Sequence, residues 1–225
     1  MRTFGRDVLK AFARSTTALF SVVMLASCTS GEPEAKSEQP CGISPSSEEG
    51  VLLQGILRAK EFETLIYNST GEVATALRRA LPEASPESRM SPKSTCALWA
   101  AGQNGGDRVT FSFGWVSRAS KDVEQHLPNG VPFEAGGAFG QANDTDTALF
   151  VGCEMPGKLG GPSKSAWLHA KASHNVSPPR TDIDRATKDR QTALTYLMAR
   201  RVTEALGCEN KPLEKPPVVK PVPSP

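Results

Sequence analysis

The sequence lacks an apolar run long enough to cross a bilayer. Its uncharged stretch from Ser15 to Ser27 falls short of the ~20 apolar residues that a spanning helix needs. There is no Cys-x-x-Cys or Cys-x-x-His spacing, the arrangement by which structural zinc is usually held. Phosphate-loop and dinucleotide glycine patterns are missing, as are the Gly-x-Ser-x-Gly elbow and the Ser-x-x-Lys pair. Motif-bearing nucleotide enzymes and serine hydrolases are excluded with them. Histidine is scarce: only His126, His169 and His174 occur.

Charge of one sign is also absent. The chain has 26 basic and 24 acidic residues, a formal net charge of +2. Residues 1–27 hold Arg2, Arg6, Lys10 and Arg14 against Asp7, so the remainder has 22 basic and 23 acidic residues and a net charge of −1. The slight basicity belongs to those first residues, and no electrostatic case for nucleic acid survives their removal.

What those first residues hold is a basic segment, then the apolar Ala18–Leu25, then the small Ala26 and Ser27 directly before Cys28. These are the parts of a secretory signal peptide. Leu25-Ala26-Ser27-Cys28 resembles the lipobox of bacterial lipoproteins. The resemblance implies cleavage before Cys28 and a thioether diacylglycerol on its sulfur, with acylation of the freed amine as a further step. Two buried acyl chains hold a protein stably where one is marginal. The expected address is the extracytoplasmic face of the cell membrane.

Setting Cys28 aside leaves Cys41, Cys96, Cys153 and Cys208, an even number in an oxidising compartment, which predicts two disulfides. Three pairings are possible and the sequence does not choose among them; Cys41–Cys96 with Cys153–Cys208 is preferred.

Four parts are expected: a signal peptide (1–27), a disordered tether (28–40), one globular domain (41–209) and a proline-rich disordered tail (210–225). Thr29–Pro40 has no aliphatic residue larger than alanine and cannot pack. The tail, KPLEKPPVVKPVPSP from Lys211, favours extended polyproline backbone. Within the domain, 51–57 and 62–67 read as short strands, with helix open for both. Val73, Ala76, Leu77, Ala80 and Leu81 fall at helical spacing over 72–81, with a Ser69/Glu72 capping box and Pro82 as the stop. Strands are expected at 96–99, at 109–115 with one buried and one wet face, at 148–153 and at 166–172. Residues 129–146 read as a long Gly- and Asn-rich loop, and 156–162 as a turn. A long last helix has Thr181 and Asp184 as candidate caps and Gly207 as its end. Strands between an early and a late helix predict an α+β fold, an antiparallel sheet with one short and one long C-terminal helix packed on one face.

A cysteine after the tether, a Cys-x-x-Trp strand, a strand ending in Cys and a long last helix together resemble small actinobacterial lipoproteins of unknown function. That likeness spans much of Cys41–Cys208 and implies a location and a fold, with no catalytic residue to carry over.

Candidate chemistry is thin. His169 shares a strand face with Trp167 and Lys171, which reads as a polar-face histidine; His174 lies in a turn-like segment where the two rings could approach one ion, but no third ligand is spaced to complete a site. Asn143–Thr147 is oxygen-rich yet lacks the calcium-loop pattern, and turn chemistry accounts for it equally well. No catalytic, cofactor or metal residue is assigned. The expectation is a non-enzymatic binding or interaction module of the cell envelope, its partner an envelope protein, a polymer or a small ligand. The alternatives are an envelope enzyme with a dispersed active site, or a modulator of a membrane sensor or transporter.

Overall fold

The computed structural model describes residues 41–87, 91–102, 107–123, 127–175 and 184–221. Cys28, the signal and tether segments, His126, Thr181, Ile183 and residues 222–225 lie outside the described residues. No helix among the described residues is long and apolar enough to cross a membrane.

For the first element the structure takes the helical alternative over the strand. Residues 51–57 belong not to a strand but to helix α1, Glu48–Leu57. The Ser47 side chain caps it by accepting from Gly50 N–H, Glu48 and Glu49 fill the first turn, and Arg58 closes it in the left-handed region at φ 51°. Its buried residues Gly50, Leu53, Ile56 and Leu57 recur at helical spacing. The cap and the acidic first turn outweigh the strand-like apolar run.

Strand β1, Phe62–Ile66, follows as expected. Helix α2, Thr70–Ala80, carries the full Ser69/Glu72 capping box and gives way to a 3-10 turn at Leu81–Glu83, where Pro82 stands. Strands β2 (Lys93–Ala100), β3 (Arg108–Ser117), β6 (Asp146–Val151) and β7 (Ala166–Asn175) stand where strands are expected at 96–99, 109–115, 148–153 and 166–172, with β6 ending before Cys153.

The expected long loop at 129–146 is instead a hairpin. Strands β4, Val131–Ala135, and β5, Ala138–Ala142, pair across a two-residue turn. Gly136 and Gly137 sit there at φ 55° and 90°, the backbone a type I′ turn requires. The 156–162 turn holds a short helix, α3, Gly160–Lys164. Helix α4, Arg185–Leu206, starts on Asp184, whose side chain accepts from Thr187 N–H, and ends on Gly207 at φ 72°.

The tail also departs from expectation. Arg200 Nε donates to Leu213 O at 2.7 Å, and Arg200 Nη2 and Tyr196 Oη donate to Lys215 O at 2.8 and 2.9 Å. Leu213 is buried, and Val219–Pro221 adds strand β8 to the edge of β4. Proline-rich backbone needs no internal hydrogen bonds, so it can lie along α4 with its carbonyls free to be taken by side chains.

The strands form one antiparallel sheet in the order β1-β2-β3-β7-β6-β5-β4-β8. The fold is α+β, with α1, α2 and α4 over one face. Val109, Phe111, Phe113 and Trp115 of β3 and Leu168, Ala170 and Ala172 of β7 join Leu53, Leu77, Leu194 and Met198 of the helices in one core. Trp115 Nε1 donates to Leu77 O at 2.8 Å, fixing α2 on the sheet.

Candidate binding site

The four domain cysteines form the preferred pairs, Cys41–Cys96 and Cys153–Cys208, with Cα atoms 6.3 and 5.1 Å apart, inside the range a disulfide spans. All four are buried. They brace the domain and offer no thiol for chemistry.

The two described histidines lie on opposite faces of β7. His169 pairs with Gly114 and Phe150 on the face away from the helices, while His174 pairs with Val109 toward the core. An odd separation along a strand puts side chains on opposite sides, so they cannot share an ion. Among the described residues no three His, Cys, Asp or Glu side chains group as metal ligands. Burial holds the His169 imidazole at a pKa of about 4, with Lys171 adding to the effect; burial does the same for His174, also to about 4, against an opposing pull from Asp146. Both rings are neutral at pH 7.

In the oxygen-rich turn, Asn143 Oδ1 accepts from the backbone N–H of Thr145 and Asp146 at 2.8 and 2.7 Å, an Asx turn. Asp144 pairs with Lys188 at 2.8 Å and Asp146 with Lys171 at 3.0 Å. These carboxylates tie the β5–β6 turn to α4 and β7.

The helix-free face carries an aromatic cluster that the sequence did not announce. Phe139 stacks on Phe150 with centroids 5.2 Å apart and meets Trp167 edge-on at 5.1 Å; Phe150 lies 4.9 Å from His169. Both described ends of the β3–β4 connection touch this face: Arg118 sits 3.7 Å over the Trp167 ring, and Leu127 N–H donates to Gln141 Oε1 at 2.8 Å. Phe150, on this face, is only 8% exposed, and the second half of β3 is buried on both sides. This cluster is packing, not a platform.

Two hollows remain. One, about 570 Å³, lies beside α2 against Trp115, with Arg79, Glu83 and Lys93 around it. The other, about 270 Å³, lies between the first turns of α4 and the β4–β8 edge. Val131, Phe133, Ala142 and Val219 give it apolar walls, and Arg185, Lys188 and Asp189 stand at its mouth. Those charges are mutually compensated, Lys188 by Asp144 and Arg185 by Asp189 at 3.7 Å. An apolar cleft between sheet and helix with polar groups at the rim is the ordinary form of a small-molecule site. Its residues were missed because Val131, Phe133 and Val219 fell in segments read as loop and tail. The signal is weak: Val131, Phe133 and Ala135 alternate before Gly136-Gly137, but the matching positions after the turn are only Ala138, Gly140 and Ala142. The chain matches no protein-family model, no curated protein and no solved structure.

Proposed function

We propose that this chain is a lipoprotein of the extracytoplasmic face of the cell membrane, anchored through diacylglycerol on Cys28. Its α+β domain is a binding module that takes the apolar part of a small ligand between α4 and the β4–β8 edge. The observation that carries the binding reading is the cleft itself: apolar walls, a charge-compensated mouth, and neither low-pKa histidine among its lining residues. Support for the address comes from Leu25-Ala26-Ser27-Cys28 behind a basic and apolar segment, and from two disulfides, which persist in oxidising compartments. Tethering raises local concentration at the membrane and makes weak binding useful.

One preparation tests both halves. Mass spectrometry of the membrane-extracted protein is expected to find Cys28 first in the chain and diacylated, and Cys28→Ala to abolish the adduct. An N-terminus elsewhere without lipid removes the anchor. The apolar fluorophore anilinonaphthalene sulfonate should bind saturably at one site. Val131→Asp, at an exposed position on the cleft wall, should weaken it at least about tenfold, the ~1.4 kcal/mol that a carboxylate among apolar groups readily costs. Binding that ignores Val131→Asp removes the cleft.

A further inference from the structure

The two edges of the sheet are treated differently. At one, the tail returns as β8 to cover β4, and Pro132 and Pro221 stand there without N–H donors. These are the usual means of blunting an edge. At the other, β1 is uncovered and has none of them: Phe62-Glu63-Thr64-Leu65-Ile66 contains no proline, no lysine and no bulge against β2.

The ladder shows which backbone groups face outward. Tyr67 N–H donates to Thr95 O and Ala101 N–H to Glu61 O, so the odd-numbered residues of β1 pair with β2. Phe62, Thr64 and Ile66 therefore direct their N–H and C=O away from the sheet, and among the described residues nothing pairs with them.

We infer that β1 is a self-association edge: two copies of this chain pair antiparallel through β1 about a two-fold axis at Thr64. In that register Thr64 meets Thr64, and Phe62 meets Ile66 of the second copy, each pair exchanging both backbone bonds. Glu63 falls opposite Leu65, so no like charges face each other along the strand. Glu63 is already engaged, accepting from Trp99 Nε1 at 3.1 Å and Gly102 N–H at 3.3 Å. The second copy's Glu61 falls opposite Tyr67, whose hydroxyl accepts from the Arg108 guanidinium through Nη2. Opposite charge thus meets at both ends of the seam. Leu65 and Tyr67, 45% and 46% exposed, lie along it on the helix-free face. Each copy's helices remain on one side, and the result is a continuous sheet across the axis.

The test is the mass of the purified full chain, with its detergent contribution subtracted, across concentration, together with amide hydrogen exchange. The expected result is twice the mass that the same purified chain shows when denatured, and slowed exchange at Thr64 and Ile66 that fades on dilution. Thr64→Pro removes an outward N–H and leaves the β2 ladder whole. By symmetry it deletes two central bonds and should weaken the dimer at least about tenfold. Thr64→Lys, which sets two ammonium groups across the axis, should do the same and serves if the proline variant loses its native circular dichroism. A monomer at all concentrations up to about 1 mM overturns the inference. So does a dimer that both folded variants leave intact, since that dimer uses another surface.

Discussion

His169 and His174 set the acid limit of the domain. Both are neutral in the folded state, 5% and 1% exposed, and burial holds each at a pKa of about 4, where an unfolded imidazole has 6.5. The unfolded chain therefore takes up protons below pH 6.5 that the folded chain refuses, and stability falls with pH. No such loss exists above pH 6.5, where both states are neutral. The fall continues to about pH 4, by which point each histidine has removed ~3 kcal/mol. Carboxylates act lower. Asp146 is partly desolvated, but bonds from Ser173, Lys171 and Thr145 hold it below the ordinary range. Its contribution is lost only as pH falls through that depressed value. Urea unfolding between pH 6.5 and 4.5 should thus show a slope approaching two protons, and His174→Leu should reduce it by about one. An NMR titration in which either ring titrates near 6.5 would sink this account. Among the described residues the Nδ1 and Nε2 of His174 find no hydrogen-bond partner, and neither do the Gln191 amide or the Thr147 hydroxyl. Removing the His174 ring's polarity therefore sacrifices no bond.

Among the elements, legibility followed the strength of the local pattern. Helix α2 could be read because Ser69, Glu72 and Pro82 mark both its ends, and β3 because Val109, Phe111 and Phe113 alternate. The wet-face expectation for β3 applies only over its first half, since Gly114 and Val116 are buried on the face opposite the core. Over α1 the sequence leaves strand and helix both open, because Val51, Leu52 and Leu53 look like a strand; Ser47 and the two glutamates decide for the helix. Gly136 shows why the β4–β5 hairpin was hidden. Its strands are too short and too rich in alanine and glycine to announce themselves, and the turn glycines read as loop. Gly136 needs glycine twice over, for its φ of 55° and because an added Cβ would collide with the Tyr196 ring and hydroxyl. Gly136→Ala should destabilise the domain by about 2–4 kcal/mol in chemical denaturation. Gly137→Ala, which has the positive φ and open space, should cost only about 1 kcal/mol. Equal effects would mean that the Tyr196 contact carries no weight. The candidate cleft was illegible for a related reason: its walls come from the hairpin, α4 and the tail, brought together by sheet order and not by any spacing in the chain.

For the whole molecule the disulfides bear on where it can exist. Each closes a loop with a sequence separation of 55, and the two loops do not overlap. Loop-closure entropy assigns each ~4 kcal/mol, and because the loops are separate the effects add to about 8. That is comparable to the entire stability of an ordinary domain, 5–15 kcal/mol. Their placement makes the sum meaningful. Cys41–Cys96 fastens the chain's entry into the domain to the second strand, next to the uncovered edge. Cys153–Cys208 fastens the exit of β6 to the end of α4, which Arg78 also caps by donating to Ala205 O at 2.8 Å. The first bond restrains α1 and the second α4, two helices joined by the Arg201–Glu49 ion pair at 2.8 Å. Losing either bond loosens the layer that covers the sheet. The double variant Cys41→Ala/Cys96→Ala should lower the urea stability by about 4 kcal/mol, and Cys153→Ala/Cys208→Ala by a similar amount. The chain lacking all four should fail to give a cooperative transition at 37 °C. A quadruple variant that still unfolds cooperatively with most of its stability would show that the core suffices alone. Fold and oxidising surroundings would then be independent, and the disulfides would lend no support to the proposed extracytoplasmic address.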